Sequence, residues 1–419
     1  MIFASLHSRN YRLYFIGQGI SLIGSWMQNI ALSWLVYRLT GSVFLLGLIG
    51  FLGQIPTFIL TPFTGVLTDT FNRLRIMIVT QMSFMLQALT LTMLVVFNVV
   101  QVWHLIVLSI FSGIVTAFDA PARQSLVIDL IDKPEDLGNA IALNSAIFNG
   151  ARLIGPAIAG IAIAVVGEGI CFGVNALSYI AVIGALMQIR IPPKPQASSQ
   201  DNFKKSFTDG FRYTFQSVPI RRLMILLAML GVIGMPFIVL LPAYAKVILH
   251  GDSHTLGYLM SSMGAGALTA AIYMASRKSV VGLGKIIAMS ISVLGMALLL
   301  AAWSDKLHWS MTIFYFGGMA MILTLSSINT MLQTIAEEDK RGRVMSFYAM
   351  AVMGTSPFGN LLAGTAASGL GIPIALLIAG GITLLAVIWF GMTLKSLRKF
   401  IRPIYVTKGI IANLPDEIN

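Results

Sequence analysis

Charge is scarce along this chain. Asp, Glu, Lys and Arg supply only 11% of its 419 residues, whereas 57% are hydrophobic. An ordinary soluble domain is about 25% charged, so a soluble surface is excluded and most of the exterior must face lipid. The mean hydropathy of +0.84 agrees. Cysteine is rarer still. Cys171 stands alone, which excludes an intramolecular disulfide and a cysteine-held metal cluster. The five histidines, His7, His104, His250, His254 and His308, all fall in loops or at span ends. Chemistry inside a membrane needs a buried acid, base or metal set, and the sequence offers none, so neither an enzyme nor a cofactor is expected. His250, Asp252 and His254 either hold a metal weakly in an outer loop or are simply solvated surface. A Walker-type phosphate loop is missing, so ATP does not drive the protein directly. Acids are also missing from the span centres: Asp69, Asp119 and Glu168 all sit near predicted membrane faces.

What the chain has is long apolar runs. Phe44 to Leu67 and Ile76 to Val100 each exceed the roughly 20 residues needed to cross a bilayer. Twelve such segments leave little for a soluble domain. The expected fold is an all-α integral membrane protein with twelve transmembrane helices in two six-helix halves. Residues 1–190 form the first half, 191–220 a connector, 221–395 the second half and 396–419 a tail. Alternating sides along the spans puts every Lys and Arg except Arg38, Arg152, Lys246 and Lys306 on the side of the N-terminus. Positive residues mark the inner side of a membrane. The net charge of +12 is therefore topology, not a nucleic-acid footprint, and both termini are expected to be cytoplasmic. Met1 to Asn10 is polar and leads straight into a full span, so no cleavable leader is expected.

The two runs are joined by Gly65-Val66-Leu67-Thr68-Asp69-Thr70-Phe71-Asn72-Arg73-Leu74-Arg75. This stretch is too short for a domain and reads as a tight turn at the membrane surface. Gly65 lets helix ends approach closely. Asp69 needs a basic partner or a helix N-terminus, while Arg73 and Arg75 mark the inner side. Further along, Asp119-Ala120-Pro121-Ala122-Arg123-Gln124 falls near the same face, level with Asp69 and Arg73. Asp119 is read as an ion-pair partner for Arg73 or Arg123. The turn resembles the G-x-L-A-D-R-x-G-R-R loop of major facilitator transporters, with Gly65, Leu67, Asp69, Arg73 and Arg75 matching. Thr68, Thr70 and Asn72 depart from it. Thr70 removes one charge, and Asn72 stands where a turn glycine is usual and can tolerate a left-handed backbone. The resemblance implies a latch that holds the outward-facing state, built from Gly65, Asp69, Arg73, Arg75, Asp119 and Arg123. The plainer reading is a positive-inside turn.

Polar stripes run inside the spans. In the first, Tyr11 to Leu39, Gln18, Ser21, Ser25, Gln28, Asn29 and Ser33 recur at three- and four-residue steps beside Trp26 and Trp34. A second stripe carries Ser109, Ser112, Thr116, Asp119 and Arg123. Such stripes either hydrogen-bond neighbouring helices or line a water-filled path. The fifth span holds Arg152 near its middle, where a charge costs at least about 2.5 kcal/mol and must meet protein, water or ligand. Arg152 is either a substrate contact or part of a structural ion pair or carbonyl clamp. Gly150, Gly155, Pro156 and Gly160 read as one smooth, bendable helix face. They partly resemble the glycine-proline motif of drug:proton antiporters, which implies export.

The connector, Arg190 to Arg222, is basic and marked by Pro192, Pro193 and Pro195. Phe203, Phe207, Phe211 and Phe215 recur every four residues, as in an amphipathic helix lying on the inner leaflet. In the second half, Gly231, Gly234, Pro236 and Pro242 predict a broken seventh span. Tyr315, Ser326, Thr330 and Gln333 give the tenth a polar edge. Pro357 and Gly364 echo Pro156 and Gly160 at an offset of roughly two hundred residues, which suggests parallel repeats. The loop around Lys285 stands where the second half's own latch belongs but has no Asp, so the latch is one-sided. The likeness covers about residues 5 to 400 and is strongest to the exporter branch with siderophore exporters and macrolide-efflux proteins. It implies a proton-coupled efflux permease for a small amphipathic molecule in a bacterial inner membrane. It also implies a monomer whose partners are the substrate, the bilayer and the proton gradient. The expected substrate path takes in Gln18, Ser25, Gln28, Asn29, Trp34, Ser112, Thr116, Arg152, Tyr315 and Gln333. A lysophospholipid or nutrient carrier of the same fold, or a non-transporting sensor or scaffold, are the alternatives.

Overall fold

The computed structural model describes residues 4–190, 211–277, 279–338, 340–408 and 410, with only the backbone described at 62, 65–70, 134, 145, 149, 395 and 398. The described residues contain helices and turns and no strand. In chain order the long helices are α1 (Arg9–Thr40), α2 (Val43–Thr70), α3 (Arg73–Val96), α4 (Val102–Asp129), α5 (Leu137–Val166) and α6 (Glu168–Gln188). They continue as α7 (Val218–Ile248), α8 (Ser253–Ser276), α9 (Leu283–Ala301), α10 (Leu307–Ile335), α11 (Arg341–Leu370) and α12 (Ile372–Thr407). Among the described residues, 10 of these are long and apolar enough to cross a membrane. The exceptions are α1 and α11, which have 32 and 30 residues and a more polar composition.

Local chemistry sets the helix ends. Gly41 closes α1 in the left-handed region, at φ 61°, where its N–H reaches Tyr37 O. Asn72 begins α3 by accepting a hydrogen bond from the Arg75 N–H at 3.1 Å. Its backbone is extended (φ −65°, ψ 111°), so the left-handed conformation that Asn72 could tolerate is not used. Capping wins because an extended residue can present its side-chain oxygen to the first turn. Helix α7 is broken, as its glycines and prolines predict. It passes from regular helix (Val218–Met229) through a π-turn (Leu230–Gly234) to a 3-10 turn (Pro236–Leu240). Proline lacks the N–H that would continue the ladder.

Packing falls into two sets. Helix α1 lies on α5 and α6, α3 on α4 and α6, and α2 on α4. In the other set α8 lies on α10, α9 on α10 and α12, and α7 on α11 and α12. The sets meet along two seams, α2 against α11 and α5 against α8. Large apolar side chains such as Val165, Leu177, Met289 and Met392 are exposed on the outside of the bundle, as a lipid-facing surface requires. Arg9, Arg12, Arg73, Arg75, Arg341 and Arg343 lie at one end, called here the basic face, and the ends near Gly41 and Gly371 form the far face.

One expectation at the chain's later parts changes. The last helix does not stop near residue 395: α12 continues to Thr407, with Leu397, Ile401 and Tyr405 buried. Lys408 then donates to the Thr334 and Ala336 carbonyls at the end of α10, at 2.7 and 3.2 Å. Apolar spacing and this carbonyl cap hold a stretch that its basic composition alone marked as a tail. Phe203 and Phe207 of the expected surface helix lie outside the described residues. Phe211 and Phe215 are 4.4 Å apart between ring centroids and exposed. Next to them the Tyr213 hydroxyl accepts from the Glu337 N–H at 3.2 Å, and Lys340 stands over its ring.

Candidate functional site

The charged cluster on α3 and α4 divides into two levels. At the basic face, Arg73 Nη1 donates to Asp129 Oδ2 at 2.9 Å, so Asp129 and not Asp119 partners it. Asp119 lies ten residues inside that end of α4, about 15 Å along the axis. It is therefore level with Thr80 and Gln81 rather than with Arg73, deeper than its predicted place. Its exposure is 1%. Thr80 Oγ1 and Gln81 Nε2 donate to one carboxylate oxygen at 2.9 and 2.7 Å, and Arg123 donates to the other. An i,i+4 spacing on α4 makes the ion pair, and α3 supplies the neutral donors that make burial of the charge tolerable. Arg75 is exposed. The side chain of Asp69, and Gly65 with it, lie outside the described residues.

The first polar stripe turns out to be interhelical glue over much of its length. Gln28, 8% exposed, donates to Gln87 on α3 at 2.7 Å and accepts from Asn175 on α6 at 2.8 Å. Ser25 bonds the Tyr179 hydroxyl at 3.2 Å and its own Ser21 carbonyl at 2.9 Å. Gln18 and Trp34 are buried in the same packing. This geometry spends Ser25 and Gln28 on helix contacts rather than on an open path, and buries Trp34; Gln18 is buried with its Oε1 lacking a hydrogen-bond partner among the described residues. Asn29, one step round the helix, is exposed. On α4, Ser112 and Thr116 are half-buried, and Thr116 bonds the Ser112 carbonyl. Tyr315 reaches Thr269 on α8 at 2.9 Å, and Gln333 is exposed with its amide on Asn329.

The two seams are built on glycine. On one, a Cβ added to Gly160 of α5 would lie 2.8 Å from Gly257 Cα and 3.0 Å from Ser253 O on α8. On the other, a Cβ at Gly47 of α2 would lie 2.8 Å from Gly364 Cα and 2.5 Å from Asn360 O on α11. No side chain larger than hydrogen fits where backbones meet this closely. Gly47 and Gly257 open their helices while Gly160 and Gly364 lie toward the ends of theirs, so both contacts sit toward the far face. The predicted single face of Gly150, Gly155 and Gly160 is corrected. Gly155 packs on Trp26 and Ile23 of α1, Gly160 on α8, and Gly150 touches nothing. Five residues turn a helix by about 140°, so glycines at that spacing cannot share a face.

Arg152 sits halfway along α5 and is 9% exposed. Its guanidinium lies 5.7 Å from the centroid of the Trp26 ring, and its Nε has no hydrogen-bond partner. Neither the foreseen ion pair nor a carbonyl clamp forms among the described residues. Its own carbonyl is where α8 draws closest again, since a Cβ at Gly264 would lie 3.0 Å from Arg152 O.

A frame of long helices in two sets, with buried charge and close seams between them, is what a carrier needs. A family model described as transmembrane secretion effector matches residues 1–400. The chain is a major facilitator transporter of that family. It is a transporter and not an enzyme. The staphyloferrin A transporter of Staphylococcus aureus is 25% identical over 364 residues, 86% of this chain and 90% of that one. Macrolide efflux protein A of Streptococcus pyogenes is 23% identical over 385 residues, 88% and 93% of the two chains. Among solved structures, a nucleoside transporter, NupG, superposes with a TM-score of 0.72 at 12% identity, covering 92% of this chain and 99% of that one. A bacterial homologue of ferroportin in an inward-facing state gives 0.69 at 16% identity, over 91% and 98%. At these identities the solved structures speak for the fold alone.

Several residues that organise the transporter carried no signal in the sequence. Thr80 and Gln81 are ordinary polar residues in an apolar span until α4 brings Asp119 against them. Asp129, at the end of α4, gave no sign in the sequence that it partners Arg73. The seam glycines Gly47 and Gly257 stood among 39 glycines with no motif around them. The echo of Pro156 and Gly160 in Pro357 and Gly364 was the available signal, since both echoed glycines lie in seams.

Proposed function

We propose that this transporter is an efflux permease for a small amphipathic molecule in a bacterial inner membrane. It crosses the bilayer twelve times as two six-helix halves, residues 1–190 and 221–395, with both termini and the basic face in the cytoplasm. It works as a monomer by alternating access, driven by the proton gradient. The observation that carries this reading is the pair of glycine seams. Both join helices of opposite sets, both lie toward one face, and the repeat relates them. Two such contacts form a gate that closes the outer end and leaves the cytoplasmic end to admit substrate. Substrate then passes between the sets, by Asn29, Ser112, Thr116, Arg152 and Tyr315. The Arg73–Asp129 and Asp119–Arg123 pairs, with Gly65, Asp69 and Arg75, form the latch that the outward-facing state engages. Asp119 is the buried carboxylate best placed to couple proton movement to that change. Export is favoured by the siderophore and macrolide relatives.

The test compares small molecules inside and outside cells in three strains: a deletion, a wild-type overexpresser, and an Asp69→Asn overexpresser at matched protein level. A compound enriched outside only by the wild type establishes export and names the substrate. Retention inside by the wild type reverses the direction, and three indistinguishable profiles remove the reading.

A further inference from the structure

We infer that the transported molecule is an organic anion and that Arg152 receives its charged group. The inference rests on the transporter reading but not on the direction of transport. Among the described residues, the acids within the first six helices that could neutralise a cation are already committed. Asp119 is held by Arg123, Asp129 by Arg73, and Glu168 by Arg38 at 2.7 Å. Among the described residues Arg152 is left with the face of Trp26 and no hydrogen bond, nine-tenths buried at the middle of a helix. The delocalised guanidinium of arginine keeps its charge inside proteins. A fixed cation that the protein does not neutralise is a receptor for an anion that arrives from outside it. Its planar fork of N–H donors matches a carboxylate or similar oxyanion in bidentate fashion.

The surroundings describe the rest of the ligand. Trp26 stands edge-on to Phe148, with ring centroids 5.9 Å apart, and Phe148 is exposed. Beside the cation lies an aromatic wall for an apolar body. Arg152 also stands at the boundary between the two helix sets, because its backbone carbonyl touches Gly264 of α8. A ligand held there bridges the parts that must rock apart. Its anion would be gripped when the seam is closed and loosened when α5 and α8 separate.

The test uses two isosteres, naphthalene-2-carboxylate and naphthalene-2-carboxamide, with purified full-length protein in a neutral detergent at constant ionic strength. Thermal unfolding is followed as each is titrated. The carboxylate should raise Tm in a saturable way and the carboxamide should not. Arg152→Gln should weaken the apparent affinity for the carboxylate by roughly ten- to a hundredfold, the worth of a charge-assisted hydrogen bond, and Arg152→Lys should restore part of it. Equal responses to both compounds, no response to either, or an unchanged carboxylate response in Arg152→Gln would each overturn the proposal. If Arg152→Gln does not fold, the isostere comparison on the wild type still decides. Dimyristoylphosphatidylglycerol is titrated in parallel: if it reproduces the shift and abolishes that of the carboxylate, the site holds a lipid headgroup and the inference fails. None of these outcomes depends on export, so a failed efflux experiment and a failed anion site are told apart.

Discussion

The two helix sets share a frame but differ in what holds them. In α1 to α6 the interior carries polar joints: the Gln28 hub with Gln87 and Asn175, the Asp119 cluster, and ion pairs at both faces. In α7 to α12 the ion pairs Lys340–Glu337 and Arg341–Glu338 lie in one surface turn. Its main buried polar knot is the Tyr244 hydroxyl with Ser310 and the Ala301 and Ser304 carbonyls. Beyond single bonds such as Ser262 to the Met311 carbonyl and Tyr315 to Thr269, the second set is held largely by apolar packing, with Phe237 stacked on Phe314. Repetition has preserved the seams while charge has been kept on one side. Hydrophobic packing tolerates sliding, whereas directional bonds to a buried carboxylate do not, so the first set is the stiffer of the two.

That contrast can be broken in order of expected effect. Asp119→Ala should destabilise the protein by about 3 kcal/mol, the lower end for breaking a buried ion pair, because Arg123 keeps 30% of its side-chain exposure. Denaturation in detergent measures it, and a loss below about 1 kcal/mol would make the pair a surface feature. Gly47→Trp and Gly160→Trp act on the seams instead. Each should raise labelling of a cysteine placed at Asn360 by a maleimide that cannot cross the membrane, while Gly150→Ala, which meets no atom, changes nothing. Gln28→Leu leaves Gln87 and Asn175 without their partner and should cost about 1–3 kcal/mol by the same denaturation assay. Lys340→Ala, which removes a partly exposed pair with Glu337 and the contact over the Tyr213 ring, should cost no more than about 1 kcal/mol. A larger loss at Lys340 than at Gln28 would invert the comparison.

How much of this could be read from the chain follows the same divide. Long apolar runs, the break in α7 and the echo of Pro156 in Pro357 are repeated or extended features, and they were legible. The Arg123–Asp119 pair was legible too, because an i,i+4 spacing on one helix needs no tertiary information. What failed depended on which way a side chain turns. Gln28 and Asn29 are adjacent and equally polar, yet one is buried in a hub and the other is exposed. Gly155 and Gly160 looked alike and serve different neighbours. Rotation about a helix axis is set by the partner helices, and a single sequence does not contain their positions.

The central claim is that the far-face seams open and close during transport. Spin labels at Val166 on α5, which is exposed, and His254 on α8, which is half-buried at the same face, report the seam distance directly by pulsed dipolar spectroscopy. The account predicts a short distance for the wild type and a second, longer population that dominates in Gly160→Trp. A single short distance in both proteins would mean that the seam is a fixed joint, and alternating access through it would be refuted.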